Sequence, residues 1–354
     1  MNVITAAPDW RGLALDPPRA VEPVVGRARL RATPEDFQVD EELGFAAAGE
    51  GAHFLLRVRK RGANTGWVAR ELARCAGVRP FDVGYAGLKD RNAVTTQWFS
   101  VPRARRSVEE WLATSGEGWQ VLEAHGHTRK LPRGALAGNR FRIVLRDFIG
   151  DRTALDTRLA RIVHEGVPNY FGPQRFGREL SNLSILEGRA PLRGEESFAW
   201  SAARSFVFNA VLARRIQDGS WNRLSIGERA NLDGRNSTFV VESLTAEIEQ
   251  RLATFDIHPT GPLIGNGESG VAGALADLER DVAAEFPLLM EFLQSAGLEA
   301  ARRPLRVAVR DLEWQWLADD VCAVQFGLRA GSFATSVVRE LVALDGAAAN
   351  EEQG

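Results

Sequence analysis

A carboxylate on a short turn is the first feature of this sequence that could do chemistry. Asp90 lies in the polar, glycine-containing residues 87–92, between two apolar runs that predict strands (residues 82–85 and 97–101). In such a turn an aspartate commonly bonds its own backbone, so a turn-forming role is one interpretation. The other is that a rigid scaffold presents the carboxylate as a nucleophile or general base. Sequence spacing leaves both open.

A second group of candidate residues lies in an acid-free segment, residues 124–146. Within it, Asn139 and Phe141 are the types that hydrogen-bond and stack on an unpaired base, although they could equally cap a turn and fill a core. Local basic clusters on a chain of net charge −2 suggest selective contact with a polyanion, but a run of charges also forms a solvated face. The basic residues are Arg129, Lys130, Arg133, Arg140, Arg142 and Arg146, with a second cluster at Arg57, Arg59, Lys60 and Arg61.

A third segment, residues 169–177, combines three aromatic rings and two glycines with amide and guanidinium groups. A hydrophobic cluster under a loop would explain the aromatic rings. It would not explain so many hydrogen-bonding groups among them, so this segment is also a candidate binding element.

Length and composition describe the chain that must position these residues. The 354 residues are 45% hydrophobic and 25% charged, which predicts a folded protein of about two domains. No apolar run approaches the ~18 residues of a membrane span, and no signal-peptide core precedes residue 30. Two cysteines and five scattered histidines form neither a disulfide framework nor a metal-ligand pattern. We therefore expect a cytoplasmic protein without metal or cofactor.

The type of secondary structure that the sequence predicts changes twice along the chain. Residues 1–26 indicate an extended arm, and short strands follow, together with a helix whose apolar face is Val68, Leu72 and Cys75 and which Gly77 ends. Residues 165–308 are helix-rich, with helices predicted at 202–218, 246–255 and 274–296. After Pro304 strands return, including a hairpin at 313–326. This order is typical of one domain inserted into another.

Five segments in register resemble the TruD family of tRNA pseudouridine synthases. They are residues 34–39, 84–91, 138–141, 169–177 and 330–341, and the resemblance runs in order from about residue 28 to 344. Two departures are small: Asn92 stands where many relatives have His, and Arg329 where Pro is usual. Residues 1–26 are not covered.

The resemblance implies a fold as well as an activity. We expect an α/β (α+β) pseudouridine synthase fold with a mixed, largely antiparallel sheet and an α-rich inserted TRUD domain. The catalytic domain would comprise residues 1–164 and 309–354, and the insertion residues 165–308. An aromatic-lined cleft, with Arg-rich stripes along it, would take the tRNA.

Family members convert uridine 13 of tRNA to pseudouridine without metal or cofactor. The resemblance therefore implies tRNA as partner, no membrane contact and, by expectation, a monomer. Asp90 would be the catalytic carboxylate, attacking C1′ or acting on C2′ as a base, and Arg31 would orient it, with the adjacent Arg91 as competitor. The implied substrate-binding residues are Phe37, Asn139, Phe141 and Phe333.

Two other classes of protein compete with this interpretation. A non-catalytic RNA-binding protein would use the same basic and aromatic residues, but it would gain nothing from a carboxylate at Asp90 that faces phosphates. A nucleotide-binding enzyme built on Gly84 and Gly87 is excluded, because the segment lacks the Lys-Ser or Lys-Thr that follows a phosphate-binding glycine loop.

Overall fold

The computed structural model describes residues 9–103, 106–191, 194 and 196–344. In these ranges the α-helices are α1 (Trp10–Leu15), α2 (Thr65–Ala76), α3 (Val108–Leu112), α4 (Arg152–Glu165), α5 (Glu196–Gln217), α6 (Ala246–Ala253), α7 (Ala274–Ala284), α8 (Pro287–Gln294) and α9 (Ala334–Leu341). Short 3-10 segments lie at Pro34–Asp36, Pro80–Asp82, Pro173–Phe176 and, with a kink, Arg178–Glu187.

The strands follow in chain order. They are β1 (Gly26–Arg29), β2 (Phe37–Glu42), β3 (His53–Arg61), β4 (Gly84–Tyr85), β5 (Val94–Pro102), β6 (Ser115–Gly116), β7 (Trp119–His127), β8 (Gly138–Gly150), β9 (Val167–Pro168), β10 (Arg229–Leu232), β11 (Thr238–Val240), β12 (Ile257–His258), β13 (Thr260–Leu263), β14 (Ala301–Pro304), β15 (Arg306–Val307), β16 (Arg310–Ala318), β17 (Val321–Arg329) and β18 (Ala343–Leu344).

The described residues fall into two compact units. The first, here called the sheet unit, contains residues 24–163 and 309–344, and the second, the helical unit, contains residues 9–23 and 164–308. Every residue that the sequence predicts to act on the target uridine lies in the sheet unit.

The sheet unit is built on eleven strands. Its main path is β16-β17-β8-β2-β5-β3-β7-β6, while β1 joins β8 and β18, and β4 joins β5. Along that path only the β2–β5 pair is parallel. The prediction of a mixed, largely antiparallel sheet is therefore confirmed. The predicted hairpin is also present, and its second strand β17 pairs with β8 over eight residues, from Cys322 opposite Leu145 to Arg329 opposite Gly138.

Helix α2 confirms the apolar spacing that predicts it. Val68 and Leu72 are fully buried in a cluster with residues of β3 and β5, and Cys75 packs at its edge. Gly77 ends the helix with φ +67, a left-handed conformation that glycine adopts without steric cost. The N-terminus of α2 thereby lies at a fixed position on the sheet, which bears on the site below.

The helical unit packs around α5. This 22-residue helix is buried over most of its length, and α1, α7 and α8 share its core. The predicted single helix at 274–296 is wrong in one respect, because it is broken into α7 and α8 at Pro287. Proline has no N–H to continue the helical bonding, so it stands at the first position of a new helix.

The extended arm predicted for residues 1–26 is also wrong in part. Residues 10–15 form α1, whose first turn is capped by Asp9, which accepts a bond from the Gly12 amide at 2.9 Å. Leu13 and Ala14 pack into the core of the helical unit, and this burial stabilises the short helix. Residues 1–8 lie outside the described residues.

Candidate active site

The loop that joins β4 to β5, residues 86–93, carries Asp90 and is here called the Asp90 loop. The Asp90 carboxylate is 34% exposed and accepts a hydrogen bond from Arg31 Nη2 at 2.8 Å. The Arg31 side chain is only 8% exposed, and its guanidinium carbon lies 4.1 Å from the centre of the Phe37 ring. Arg31 is thus held on one side by an aromatic face and presents its other edge to the carboxylate.

The backbone at Arg31 explains how the side chain reaches Asp90. Its φ is +57, a left-handed conformation that a non-glycine residue rarely adopts, and it follows directly on β1 and Leu30. Such a conformation costs free energy and is commonest where function requires it. The competing residue Arg91 is exposed and makes no ion pair among the described residues.

A buried lysine bonds the backbone of the Asp90 loop. Lys60 is 1% exposed, and its ammonium donates to the carbonyls of Ala63 at 2.8 Å, Lys89 at 3.4 Å and Asp90 at 3.0 Å. These three bonds use all three of its protons. Lys60 therefore fixes the backbone of the residue whose carboxylate faces Arg31.

A buried ion pair anchors the same loop a residue earlier. Lys89 Nζ donates to Glu41 Oε2 at 2.5 Å, and both side chains are almost completely buried. The other Glu41 oxygen accepts from the Trp98 amide at 3.1 Å. Because Glu41 lies on β2 and Trp98 on β5, the pair attaches the loop to the junction of the two parallel strands.

A third set of buried bonds passes through the N-terminus of α2. Thr65 Oγ1 accepts from the Lys89 amide at 3.1 Å and donates to Gln97 Oε1 at 2.8 Å. The Gln97 amide then donates to the Gly87 carbonyl at 3.2 Å. With Lys60 and Glu41, these groups form a buried polar network that determines the path of the loop.

The register of the sheet puts the predicted residues of β2 and β8 on the face that carries this network. Val39 of β2 lies opposite Phe141 of β8, and Glu41 lies opposite Asn139. At the other edge of β2, Val39 pairs with Thr95 of β5, and Thr95 pairs in turn with Lys60 of β3. Side chains alternate between faces along a strand, so partners in register share a face.

Several polar atoms at this face have no hydrogen-bond partner among the described residues. They include Asn139 Oδ1, Arg31 Nε and Thr95 Oγ1, all of them buried. An unpaired buried polar atom costs free energy, and a bound ligand can supply the missing partner. The acceptor on Asn139 and the donor on Arg31 are therefore free to bond a ligand.

The three predicted stacking rings differ in exposure. Phe37 and Phe141 are buried and pack on one another edge to face, at 6.2 Å between ring centres, and Phe141 stacks on Phe326 at 5.4 Å. Phe333 is 41% exposed. It is the N-cap residue of α9, and Gly331, two residues earlier, has φ +84. Of the three rings, Phe333 has the open face that a stacked base needs.

The basic clusters are less continuous than the sequence indicates. Arg140 pairs with Glu42 and Asp311, and Arg146 pairs with Asp36. In the second cluster, Arg57 pairs with two carboxylates, Arg61 pairs with Glu35 and Lys60 is buried.

Strand alternation also separates part of these clusters from the site. Arg140 and Arg142 of β8 alternate with Asn139 and Phe141 and point to the opposite face of the sheet. Strand pairing thus lets several of these guanidinium groups reach carboxylates.

The aromatic segment at residues 169–177 lies in the helical unit, where its polar groups are used internally. Asn169 donates to the Pro304 carbonyl at 2.8 Å and accepts from Arg303 at 2.7 Å. Arg303 lies 4.2 Å from the Phe171 ring centre, and burial lowers the pKa of Arg303 to about 10. Arg175 bonds Ser201 and Ser205 of α5. These bonds account for Asn169 and Arg175 of the segment without a ligand.

Sequence reasoning missed the polar network under the Asp90 loop. One signal was available, since Phe54, Leu56, Val58 and Lys60 alternate along β3 and the first three are plainly core residues. The pattern therefore predicts that Lys60 points inward. Glu41, Thr65 and Gln97 carried no comparable signal. No group of three or more His, Cys, Asp or Glu in the described ranges is placed to hold a metal ion.

Burial of Lys60 predicts a specific pH dependence of stability. Desolvation, opposed by Asp90 and assisted by Lys89, lowers the pKa of Lys60 from 10.5 to about 8. Between these values the unfolded chain binds more protons than the folded one, so the free energy of unfolding rises with pH, by up to ~1.4 kcal/mol per pH unit. In Lys60→Met this contribution should be absent. Urea unfolding of both proteins at pH 8, 9 and 10 measures it, and parallel pH curves would contradict it.

The fold is that of a solved structure. A crystal structure assigned to tRNA pseudouridine synthase D (TruD) from Methanosarcina mazei superposes with a TM-score of 0.78 at 20% sequence identity, covering 96% of this chain and 98% of that one. The two chains therefore share an α/β fold built on a large mixed sheet.

Sequence comparison identifies the family. The family model for tRNA pseudouridine synthase D (TruD) matches residues 22–200 and 196–341. A tRNA pseudouridine synthase D of Methylococcus capsulatus is 47% identical over 348 residues, covering 97% of this chain and 98% of that protein. A tRNA pseudouridine synthase D of Nitrosococcus oceani is 48% identical over 329 residues, covering 91% of this chain and 92% of that protein. The chain belongs to the tRNA pseudouridine synthase D family and is an isomerase. None of its described helices is long and apolar enough to cross a membrane.

Proposed function

We propose that this protein converts uridine 13 of tRNA to pseudouridine, with Asp90 as the catalytic carboxylate and Arg31 as the residue that orients it. The 2.8 Å bond between Arg31 and Asp90, on a loop held by a buried polar network, is the observation that carries the proposal. A carboxylate held so firmly and still one-third exposed suits attack on a substrate better than a structural role.

The reaction is an isomerisation and consumes no other reactant. The N1–C1′ bond of the uridine breaks, the uracil turns, and a C5–C1′ bond forms. The hydrogen on C5 then leaves to solvent, and N1 gains a proton. Since one hydrogen is lost to solvent and one is gained from it, the product is an isomer of uridine with no change of oxidation state, and the chemistry requires neither a redox cofactor nor an external nucleophile.

Two roles of Asp90 fit this chemistry. The carboxylate attacks C1′ and forms a glycosyl ester as uracil departs, or it takes the C2′ proton and leads to a glycal. In both routes it acts as an anion, and Arg31 holds it in position through one hydrogen bond. Arg31 still has its Nε proton free of any partner among the described residues, and that proton can bond the departing uracil or the ribose.

Recognition of the uracil requires a base that has left the helical stack. Asn139 Oδ1 has no partner among the described residues and can accept the uracil N3–H. The exposed ring of Phe333 offers a face for stacking, which is worth about 1–3 kcal/mol per base. Phe37 supports the Arg31 guanidinium, and Phe141 supports Phe37, so these two act on the substrate through their neighbours.

Release of tritium tests this function. A tRNA transcript labelled with 5-tritiated uridine should lose tritium from one site when incubated with the protein, and replacing U13 by cytidine in the transcript should abolish the release. Tight binding of the transcript without release would instead support the competing interpretation, a non-catalytic RNA-binding protein. Release that persists in the U13→C transcript would move the target to another uridine.

A further inference from the structure

A groove of about 720 Å³ lies in the sheet unit beside the start of the Asp90 loop. This volume is within the ~300–1,000 Å³ of sites that take small molecules. Asp90, Arg31 and Asn139 are not among its lining residues, so it is separate from the site described above. The side chains that matter for its chemistry are Arg70 of α2, Phe81, Tyr85, Lys130 and Arg133.

The aromatic side of the groove is unusually exposed. Phe81 has 82% of its surface open to solvent, more than any other large apolar residue in the described ranges. Lys130 lies 4.3 Å from the ring centre and also donates to the Phe81 carbonyl. The ring is therefore held in place rather than left free. A ring that is exposed and fixed in this way offers a face on which a base can stack.

The polar side of the groove is cationic. Arg70, Lys130 and Arg133 form no salt bridge with any carboxylate in the described part of the chain, whereas many other surface arginines do. The acid beside them, Asp82, accepts two bonds from Arg79, which with the nearby Lys130 charge lower the pKa of that carboxyl. Arg133 lies flat on the Tyr85 ring at 3.6 Å and keeps its N–H groups for a ligand.

The two walls of the groove are joined through the backbone. A Cβ added at Gly84 would lie 2.5 Å from the Leu131 carbonyl oxygen, so only glycine permits this approach. The Leu131 amide donates to Ser100 Oγ at 2.7 Å, and the Gly134 amide donates to the Ala86 carbonyl at 2.7 Å. Since Ala86 begins the Asp90 loop, a ligand in the groove is placed at a constant position relative to that loop.

We propose that this groove binds an unpaired nucleotide of the tRNA other than the target uridine, with its base on Phe81 and its phosphates on Arg70, Lys130 and Arg133. The inference rests on the proposed function, which supplies the RNA. Only an unpaired base offers its π-face to a ring, because a paired base is covered by its neighbours. Three unpaired cations around one ring match the alternation of base and phosphate in a single strand.

Binding of the tRNA transcript to single variants tests the groove. Phe81→Ala should raise Kd by about 5- to 150-fold, the range for loss of one stacked base. Phe81→Tyr keeps the ring and should bind like the original protein. Arg133→Ala should reduce the slope of log Kd against log salt by about one. Turnover at saturating tRNA should stay within about threefold in each, because the groove holds no catalytic residue.

Matched controls separate these effects from general ones. Phe198→Ala removes an exposed ring from α5, and Arg280→Ala removes an exposed, ion-paired arginine from α7; neither should change Kd or the salt slope. Unchanged binding in Phe81→Ala and Arg133→Ala would overturn the groove proposal while leaving the proposed function intact. Loss of self-association in Phe81→Ala with normal tRNA affinity would also overturn it, in favour of a second copy of the chain. Failure of the original protein to release tritium would overturn the proposed function, whatever the binding results.

Discussion

Replacing Asp90 by asparagine should lower the rate of tritium release from labelled tRNA by at least three orders of magnitude, while Kd for the tRNA changes by no more than a few-fold. Asparagine has the same shape and can still accept the hydrogen bond from Arg31, so the Asp90 loop should keep its structure. It can neither attack C1′ nor take a proton from C2′, so both proposed routes stop. An effect confined to turnover is the signature of an interaction made only in the transition state.

The measurement is a single-turnover assay with enzyme in excess, together with filter binding of the same transcript. Asp319→Asn is the matched control, since it makes the same change at the fully exposed turn of the β16–β17 hairpin, and it should turn over normally. If Asp90→Asn reacts within tenfold of the original protein, Asp90 is not the catalytic carboxylate.

The second large effect concerns stability and falls on Glu41. Glu41→Ala should lower the free energy of unfolding by about 3–5 kcal/mol, because it leaves the Lys89 ammonium buried without a counter-charge and the Trp98 amide without an acceptor. Turnover per folded molecule should fall as well, since Lys89 precedes Asp90 directly.

Urea unfolding measures this loss, and two variants calibrate it. Glu35→Ala removes an exposed partner of Arg61 and should lower the free energy of unfolding far less than Glu41→Ala. The double variant Glu41→Met with Lys89→Met removes both charges and should be more stable than Glu41→Ala, because no charge remains buried alone. A Glu41→Ala cost as small as that of Glu35→Ala would show that water reaches Lys89 in solution.

Local patterns in the sequence predicted the local structure well. The spacing of Val68 and Leu72, together with Gly77, predicted helix α2. These features depend on neighbours within a few residues, which a single sequence displays. The break at Pro287 was visible by the same logic, yet the strong apolar pattern on both sides favoured one continuous helix.

Contacts between distant segments were harder to predict. The Arg31–Asp90 pair was expected only because the surrounding motifs resemble a known family; nothing in their spacing of 59 residues required it. Lys60, Glu41 and Gln97 meet because β3, β2 and β5 are neighbours in a particular register, and strand order is a property of the whole fold. The ion pairs of Arg140 and Arg146 were missed for the same reason, because their acids come from other strands.

The pairing of β8 with β17 also determines when this sheet can be completed during synthesis. The strand opposite β8 lies about 180 residues further along the chain, and all of the helical unit except its first residues is made in between. Until β17 emerges, β8 has an unpaired edge over much of its length, and such edges pair readily with other chains. Contacts this distant in sequence also form slowly, because a long loop must close before they are made. The helical unit, whose chain is complete earlier, has the opportunity to fold first, and the sheet is completed last.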